Sequence, residues 1–210
     1  MKLLFWDVDT QYDFMRNDAN HQGALAIPEA SSIEPNLARL LEFARQHNII
    51  IVHTRDAHTP DSPELSPAPD FQYTFPPHCM QGTKGVESVP ATKPLNAVTL
   101  AWDRPLENNH IEPAAEYLLT KDRFDCFAGT PHAEPLLQML APDKIIVFGV
   151  ATNVCVDFAV RGLLSRGFAV AIVTDAIKEL PNLPVEPVLA KWWELGALPV
   201  TTDSVVEAGG

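Results

Sequence analysis

The sequence predicts an α/β protein, a three-layer α/β/α sandwich around a mostly parallel, Rossmann-like sheet. Three observations carry that expectation. Apolar, β-rich runs recur at Leu3–Trp6, Ile49–His53, Lys144–Val150, Ala169–Thr174 and Leu198–Thr201. They are apolar throughout rather than alternating, as strands buried on both faces of a parallel sheet must be. Segments of helical periodicity lie between several of them, at Ile33–His47, His132–Leu140, Val154–Arg166 and Glu186–Leu195. At 210 residues the chain can bury a full core, and one domain over residues 1–210 is expected.

Taken in order, the first strand opens the segment "KLLFWDVDTQYDFM" and ends in three closely spaced acids, Asp7, Asp9 and Asp13. Ser31 and Ser32 precede the first long helix as candidate caps. The second strand runs into a proline-rich stretch at about residues 55–85, which contains "RDAHTPDSPELSPAPDFQYTFPPHC". A loop this long in a compact domain is either functional or disordered, and its mixture of His, Asp, Phe and Tyr favours an ordered, functional one. A further short strand around Val98–Trp102 has no evident place in the sheet. In "KIIVFGVATNVCVDFAV" a buried strand enters a Gly-containing turn, Thr152 is a candidate cap, and Cys155 falls in the first turn of the next helix. The tail "VVEAGG" is expected to fray.

Composition excludes several functions. A net charge of −12 leaves no basic stripe to displace counterions, so no nucleic-acid partner is expected. The longest apolar runs, such as Ile145–Ala151, fall far short of a membrane span. The N-terminus reads as a strand without the pattern of a signal peptide, and a cytoplasmic location is the expectation. Cys79, Cys126 and Cys155 are an odd set, which favours free thiols over a disulfide framework.

In an open parallel sheet, ligands bind beyond the carboxyl ends of the strands. Asp7/Asp9, Asp56/His58 and Ala151–Cys155 each follow a different strand, so all three clusters fall on one edge. At a helix start, unpaired amides and the helix dipole can stabilise a Cys155 thiolate and hold an oxyanion; a core cysteine fits the segment equally well. Asp9, at the very end of its strand, is a better candidate base than Asp7, which is flanked by apolar residues. Lys121, in "LLTKDRFDCF", follows an apolar segment and is a candidate cation for the site. The loop supplies Asp56, His58, Glu64 and His78, a nitrogen and carboxylate set that suits zinc, manganese or iron(II). No Gly-x-Gly-x-x-Gly follows the first strand, where "DVDTQYD" would offer a phosphate only negative charge, so a dinucleotide site is rejected.

Four stretches, in order, resemble the isochorismatase-like cysteine hydrolases and within them the nicotinamidases: "DTQYDFM", "TRDAH…FPPHCMQGTKG", "KDRFDCFAGT" and "GVATNVCV". The resemblance implies a catalytic triad of Asp9, Lys121 and Cys155. It implies a cis peptide at Val150–Ala151 and an oxyanion hole from the backbone amides of Ala151 and Cys155. It implies a divalent metal, zinc before manganese or iron, on Asp56, His58 and His78. Glu64 stands where many members place a further histidine, and is a candidate fourth ligand. Phe14 and Phe75 match the aromatic pair around the substrate ring, although Phe75 replaces a usual Trp and Tyr12 a usual Asn. The implied reaction is metal-dependent amide hydrolysis through a thioester, with nicotinamide or another small-molecule amide as substrate. Rivals are a vinyl-ether-cleaving isochorismatase, an amidase for carbamoyl or ureido compounds, and an inactive binding protein on the same fold. Family members are often oligomers, so a homo-oligomer is implied; Trp192-Trp193 suits a core or an interface.

Overall fold

The protein is described by a computed structural model covering residues 1–106, 110–181 and 183–207. Seven strands form one sheet: β1 (Leu3–Val8), β2 (Ile50–Asp56), β3 (Val98–Leu100), β4 (Glu116–Lys121), β5 (Lys144–Val150), β6 (Ala169–Lys178) and β7 (Leu198–Val200). Their order is β3-β4-β2-β1-β5-β6-β7, and every neighbouring pair is parallel. The helices are α1 (Tyr12–Met15), α2 (Glu34–Gln46), α3 (Cys126–Gly129), α4 (Ala133–Leu140), α5 (Asp157–Ser165), α6 (Glu186–Glu194) and α7 (Thr202–Glu207). α2 packs with α7, while α3 touches α4 and α5, and α5 touches α6. These are the outer layers of the expected sandwich, and the sheet is wholly parallel rather than mostly so.

The central strands are buried as their composition requires: Leu4, Phe5, Trp6, Ile51, Val52 and Ile145–Phe148 form the middle of the core. Strand β4 is the one that the apolar pattern did not delimit. Its apolar centre, Tyr117–Leu119, is short, and it is flanked by Glu116 and Lys121. Both charges are buried because each is paired: Glu116 with Arg45 at 2.7 Å, and Lys121 with Asp9 and Asp56. The short strand near residue 98 is β3, at the sheet edge.

The expected caps differ from those observed. Residues Ala30–Ile33, including Ser31 and Ser32, form a 3-10 turn that runs directly into α2, whose N-cap is Ile33 without a side-chain bond. Pro35 supports that start, since its missing N–H would be unpaired there anyway. α2 is then held by Leu37, Leu40, Leu41 and Ala44, one stripe at helical spacing. Thr152 likewise caps nothing: Thr152–Val156 is a π turn closed by Val156 N–H donating to Ala151 O at 3.1 Å, and the Thr152 hydroxyl has no hydrogen-bond partner. Cys155 therefore sits in a π turn that leads into α5, a feature frequent at functional sites.

Gly149 adopts φ +115°, and a Cβ there would overlap the Val8 carbonyl, so β5 can lie this close to β1 only with glycine. The next peptide, Val150–Ala151, is cis, as the resemblance implied. Trp192 is fully buried and its indole N–H donates to Asp157 Oδ1 at 2.8 Å, which places it in the core; Trp193 is half-buried. Of the tail, residues 205–207 close α7, while residues 208–210 lie outside the described part. All three cysteines are free, and among the described residues no helix is long and apolar enough to cross a membrane.

Candidate active site

The strand order sets the site. β4, β2, β1 and β5 are successive neighbours, and at their carboxyl ends they carry Lys121, Asp56, Asp9 and Cys155. Asp56 and Lys121 are direct partners across the β2–β4 ladder. Asp9 follows β1 in the left-handed region at φ +49°, which aspartate tolerates better than most residues. The buried Lys121 ammonium lies 2.8 Å from Asp9 Oδ2 and 3.8 Å from Cys155 Sγ, and also pairs with Asp56 Oδ1. It donates to the Arg123 carbonyl at 3.0 Å as well. Asp9 Oδ1 accepts the Thr54 hydroxyl at 2.7 Å. Carboxylate oxygens of Asp9 and Asp56 and the Cys155 sulfur all lie within 4.8 Å of one another.

The electrostatics follow from complete burial. Desolvation raises the Asp9 pKa to about 6, against the pull of Lys121 and with a further push from Asp56. Burial opposes the Lys121 ammonium, but Asp56 and Asp9 outweigh it and hold its pKa well above the ordinary value. Burial, with Asp9 and Asp56 adding to it and Lys121 opposing, pushes the Cys155 thiol well above its usual range. Burial thus favours the protonated sulfur at rest, with Asp9 beside it as the group that can accept the proton.

Asp56 also opens a second cluster. Its Oδ2 lies 3.8 Å from both His58 Nε2 and His78 Nε2. The loop returns alongside β2 through His58 N–H to Cys79 O at 3.1 Å and Gln81 N–H to His58 O at 2.9 Å, which brings His78 next to His58. His78 Nδ1–H donates to the Pro76 carbonyl at 2.8 Å, so its Nε2 keeps a free lone pair. Asp56 Oδ2 and His58 Nε2 are buried without hydrogen-bond partners. Two imidazole nitrogens and one carboxylate oxygen, on three buried residues and close to one another, fit a divalent cation.

Glu64 is not part of this set. Its Oε2 accepts the Phe124 N–H at 2.6 Å and its backbone carbonyl accepts the Phe75 N–H at 2.9 Å. Burial raises the Glu64 pKa to about 8. Glu64 thereby fixes two aromatic residues whose rings meet edge to face at 5.3 Å. Phe14, Phe75, Phe124, Leu25, Val154 and Leu180 enclose a cavity of about 10 Å³ against Cys155, Asp56 and His78. Phe14 and Phe75 are where the resemblance put them, and Phe124, within "KDRFDCFAGT", joins them in the wall with no signal of its own in the sequence. Tyr12 lines a different cavity, so its departure from the family pattern does not concern this one.

The remaining acids are structural. Asp7 accepts from His53 Nδ1 at 2.7 Å and from the Thr10 hydroxyl at 3.0 Å. Asp13 accepts the Cys79 N–H at 2.7 Å and the Ala24 N–H at 3.1 Å, tying the first loop to the residue after His78. A Cβ on Gly85 would overlap the Asp13 carboxylate, so that anchor needs glycine. Gln11, unassigned from sequence, is fully buried and bonds both backbone groups of Asp56.

The isochorismatase domain model matches residues 3–204. A nicotinamidase of Escherichia coli is 27% identical over 187 residues, spanning 81% of this chain and 80% of that protein. An Arabidopsis thaliana protein named a probable inactive nicotinamidase is 24% identical over 197 residues, spanning 86% of this chain and 91% of its own. Among solved structures, the pyrazinamidase of Pyrococcus horikoshii in complex with zinc superposes with a TM-score of 0.74 at 25% identity, covering 96% of this chain and 99% of the other. With the family model spanning nearly all of its sequence, the chain belongs to the isochorismatase family.

Proposed function

We propose that the protein is a cysteine amidohydrolase of the nicotinamidase type, hydrolysing a small linear amide to its acid and ammonia. The observation that carries this reading is the position of Lys121, whose ammonium sits between Asp9 and Asp56 and 3.8 Å from the Cys155 sulfur. A neutral thiol beside a carboxylate with a pKa of about 6 suits proton transfer at neutral pH.

In this reading Asp9 takes the thiol proton as Cys155 Sγ attacks the amide carbon, and Lys121 holds Asp9 in place and balances its charge. The backbone amides of Ala151 and Cys155 receive the oxyanion. Collapse breaks the C–N bond, Asp9 returns its proton to nitrogen, and ammonia leaves a thioester on Cys155. Asp9 then deprotonates a water, which attacks the thioester carbon; the C–S bond breaks, the acid is freed, and Asp9 returns the proton to the Cys155 sulfur. Asp56, His58 and His78 are the residues that would hold a divalent ion, zinc being the best match to the donor set. When bound, such an ion supplies Lewis-acid coordination to a substrate heteroatom. Phe14 and Phe75 flank the substrate, and the narrow cavity requires these side chains or Leu180 to move before a ring can enter.

A second reading keeps the chemistry and changes the substrate. It is favoured by Phe75, packed edge-on against Phe124 where the family pattern usually has Trp. Ammonia release from nicotinamide by the purified protein, with bound metal counted in the same sample, separates the two. Turnover with about one metal per chain supports the nicotinamidase reading. No turnover, with Cys155 still alkylated, leaves an amidase for another small amide.

A further inference from the structure

A second cavity lies outside the site just described. It is an open pocket of about 520 Å³ with Arg55 and Ser88 at one wall, Lys84 and Lys93 at the rim, and Leu118 and Thr99 of the sheet among its lining residues. It shares no lining residue with the cavity at Cys155. Side chains alternate along a strand, so Arg55 points away from the cluster that its neighbour Asp56 joins.

The charge in this pocket is unusual for a chain with a net charge of −12. Three cations face one carboxylate, and that carboxylate, Glu87, is already paired with Lys84 at 2.5 Å. Arg55 is largely removed from water, yet among the described residues its one side-chain partner is the Ser88 hydroxyl, at 3.0 Å. Its Nε is buried without any partner. Burial lowers the Arg55 pKa against the opposing pull of the Glu87 charge, and among the described residues no carboxylate is in hydrogen-bond contact with the guanidinium. Its planar fork fits an oxyanion in two-point contact. Beside it, Leu118, Ala97, Pro94 and the Tyr12 ring provide apolar surface. The volume suits a small molecule.

We propose that this pocket binds a small organic oxyanion, a carboxylate or a phosphate monoester, with its charged head on Arg55 and Ser88, its apolar body on Leu118 and Pro94, and Lys93 closing the rim. Arg55 supplies the buried charge and sets orientation. Lys93, exposed to solvent, contributes attraction that salt screens.

The test is calorimetric titration of the full chain with benzoate and with phenyl phosphate at fixed ionic strength, on the parent protein, Arg55→Gln and Lys93→Gln. Saturable binding of at least one probe is expected, and the probe that binds identifies the head group. Arg55→Gln should weaken it by about tenfold or more and Lys93→Gln by roughly threefold. Chelator-treated protein should bind as well as untreated protein. The proposal is overturned if neither probe binds the parent, if both variants bind as tightly as the parent, or if chelation abolishes binding, which would put the anion on a metal. Should Arg55→Gln fail to fold, Lys93→Gln decides alone.

Discussion

Gln11 clamps the backbone of Asp56. Its side-chain amide donates to the Asp56 carbonyl at 2.8 Å, and its side-chain oxygen accepts the Asp56 N–H at 2.8 Å. A residue after β1 thus sets the end of β2, where one carboxylate serves both Lys121 and the histidine pair. Replacing Gln11 with Leu keeps the volume and leaves two buried backbone groups unpaired, at about 1–3 kcal/mol each. Metal affinity should fall by roughly 10–100-fold, as when an outer-shell partner is lost. Metal titration of Gln11→Leu beside Gln11→Glu, which keeps the bond from the Asp56 N–H, checks this. Unchanged affinity in the leucine variant would show that Asp56 is held by other means.

Cys155→Ala should lower amide hydrolysis by about 10⁴-fold or more while leaving the thermal unfolding midpoint near that of the parent. Retained turnover would rule out the thioester route.

The pH profile of kcat/KM should show an acid limb near pH 6. Burial raises the Asp9 pKa to about 6, and only the ionised carboxylate can accept the thiol proton, so activity rises as pH climbs through that value. Asp9→Asn should remove the limb together with about 10²–10⁴ of the rate. An acid limb that persists in residual Asp9→Asn activity would assign it to another group.

Glu64→Gln should retain metal, because the Glu64 carboxylate is engaged with the Phe124 N–H and stands apart from Asp56, His58 and His78. Glu64→Ala should raise KM, since it frees Phe124 and with it the wall formed by Phe75. Metal content and KM measured together on both variants decide the matter; loss of metal from Glu64→Gln would make Glu64 a ligand.

His53 is buried between Asp7 at 2.7 Å and Glu116 at 3.2 Å. Burial opposes its charge, but the hydrogen bonds to these two carboxylates outweigh it and raise its pKa above the ordinary 6.5. A raised folded-state pKa means that the native protein keeps this proton longer than the unfolded chain. The stabilisation is therefore complete below pH 6.5 and is lost as pH rises through the folded value. Glu116, held near 2 by His53 and Arg45 against its own burial, stays ionised across that range. The gap in melting temperature between the parent and His53→Gln should be larger at pH 6 than at pH 9. A gap independent of pH would mean that His53 is neutral in the fold.

The parallel sandwich was legible because buried strands are apolar on both faces and the helices between them carry a 3.6-residue stripe, as in Leu37, Leu40, Leu41 and Ala44. Asp9, Asp56, Lys121 and Cys155 were legible because each closes or follows a strand within a recognisable motif. β4 was not delimited, since Glu116 and Lys121 read as solvent-facing charges until their partners from other strands are known. Ser31, Ser32 and Thr152 are of the residue types that cap helices, whereas a 3-10 turn and a π turn supply those helix starts. Gln11, Thr54 and Phe124 carry no sequence signal, because their roles lie wholly in contacts with residues distant in the chain.

The sequence by itself determined the fold class and the chemical inventory: which apolar runs become the central strands, and which acids, imidazoles and thiol stand at their ends. Only the tertiary structure decided how these are divided. Asp7 became an anchor of His53, Glu64 a partner of the Phe124 amide, and Asp56 a carboxylate shared between Lys121 and the histidine pair. The physical reason is that strand order is set by burial of the whole sheet. That order places residues 9, 56, 121 and 155 at adjacent strand ends, within reach of one buried ammonium.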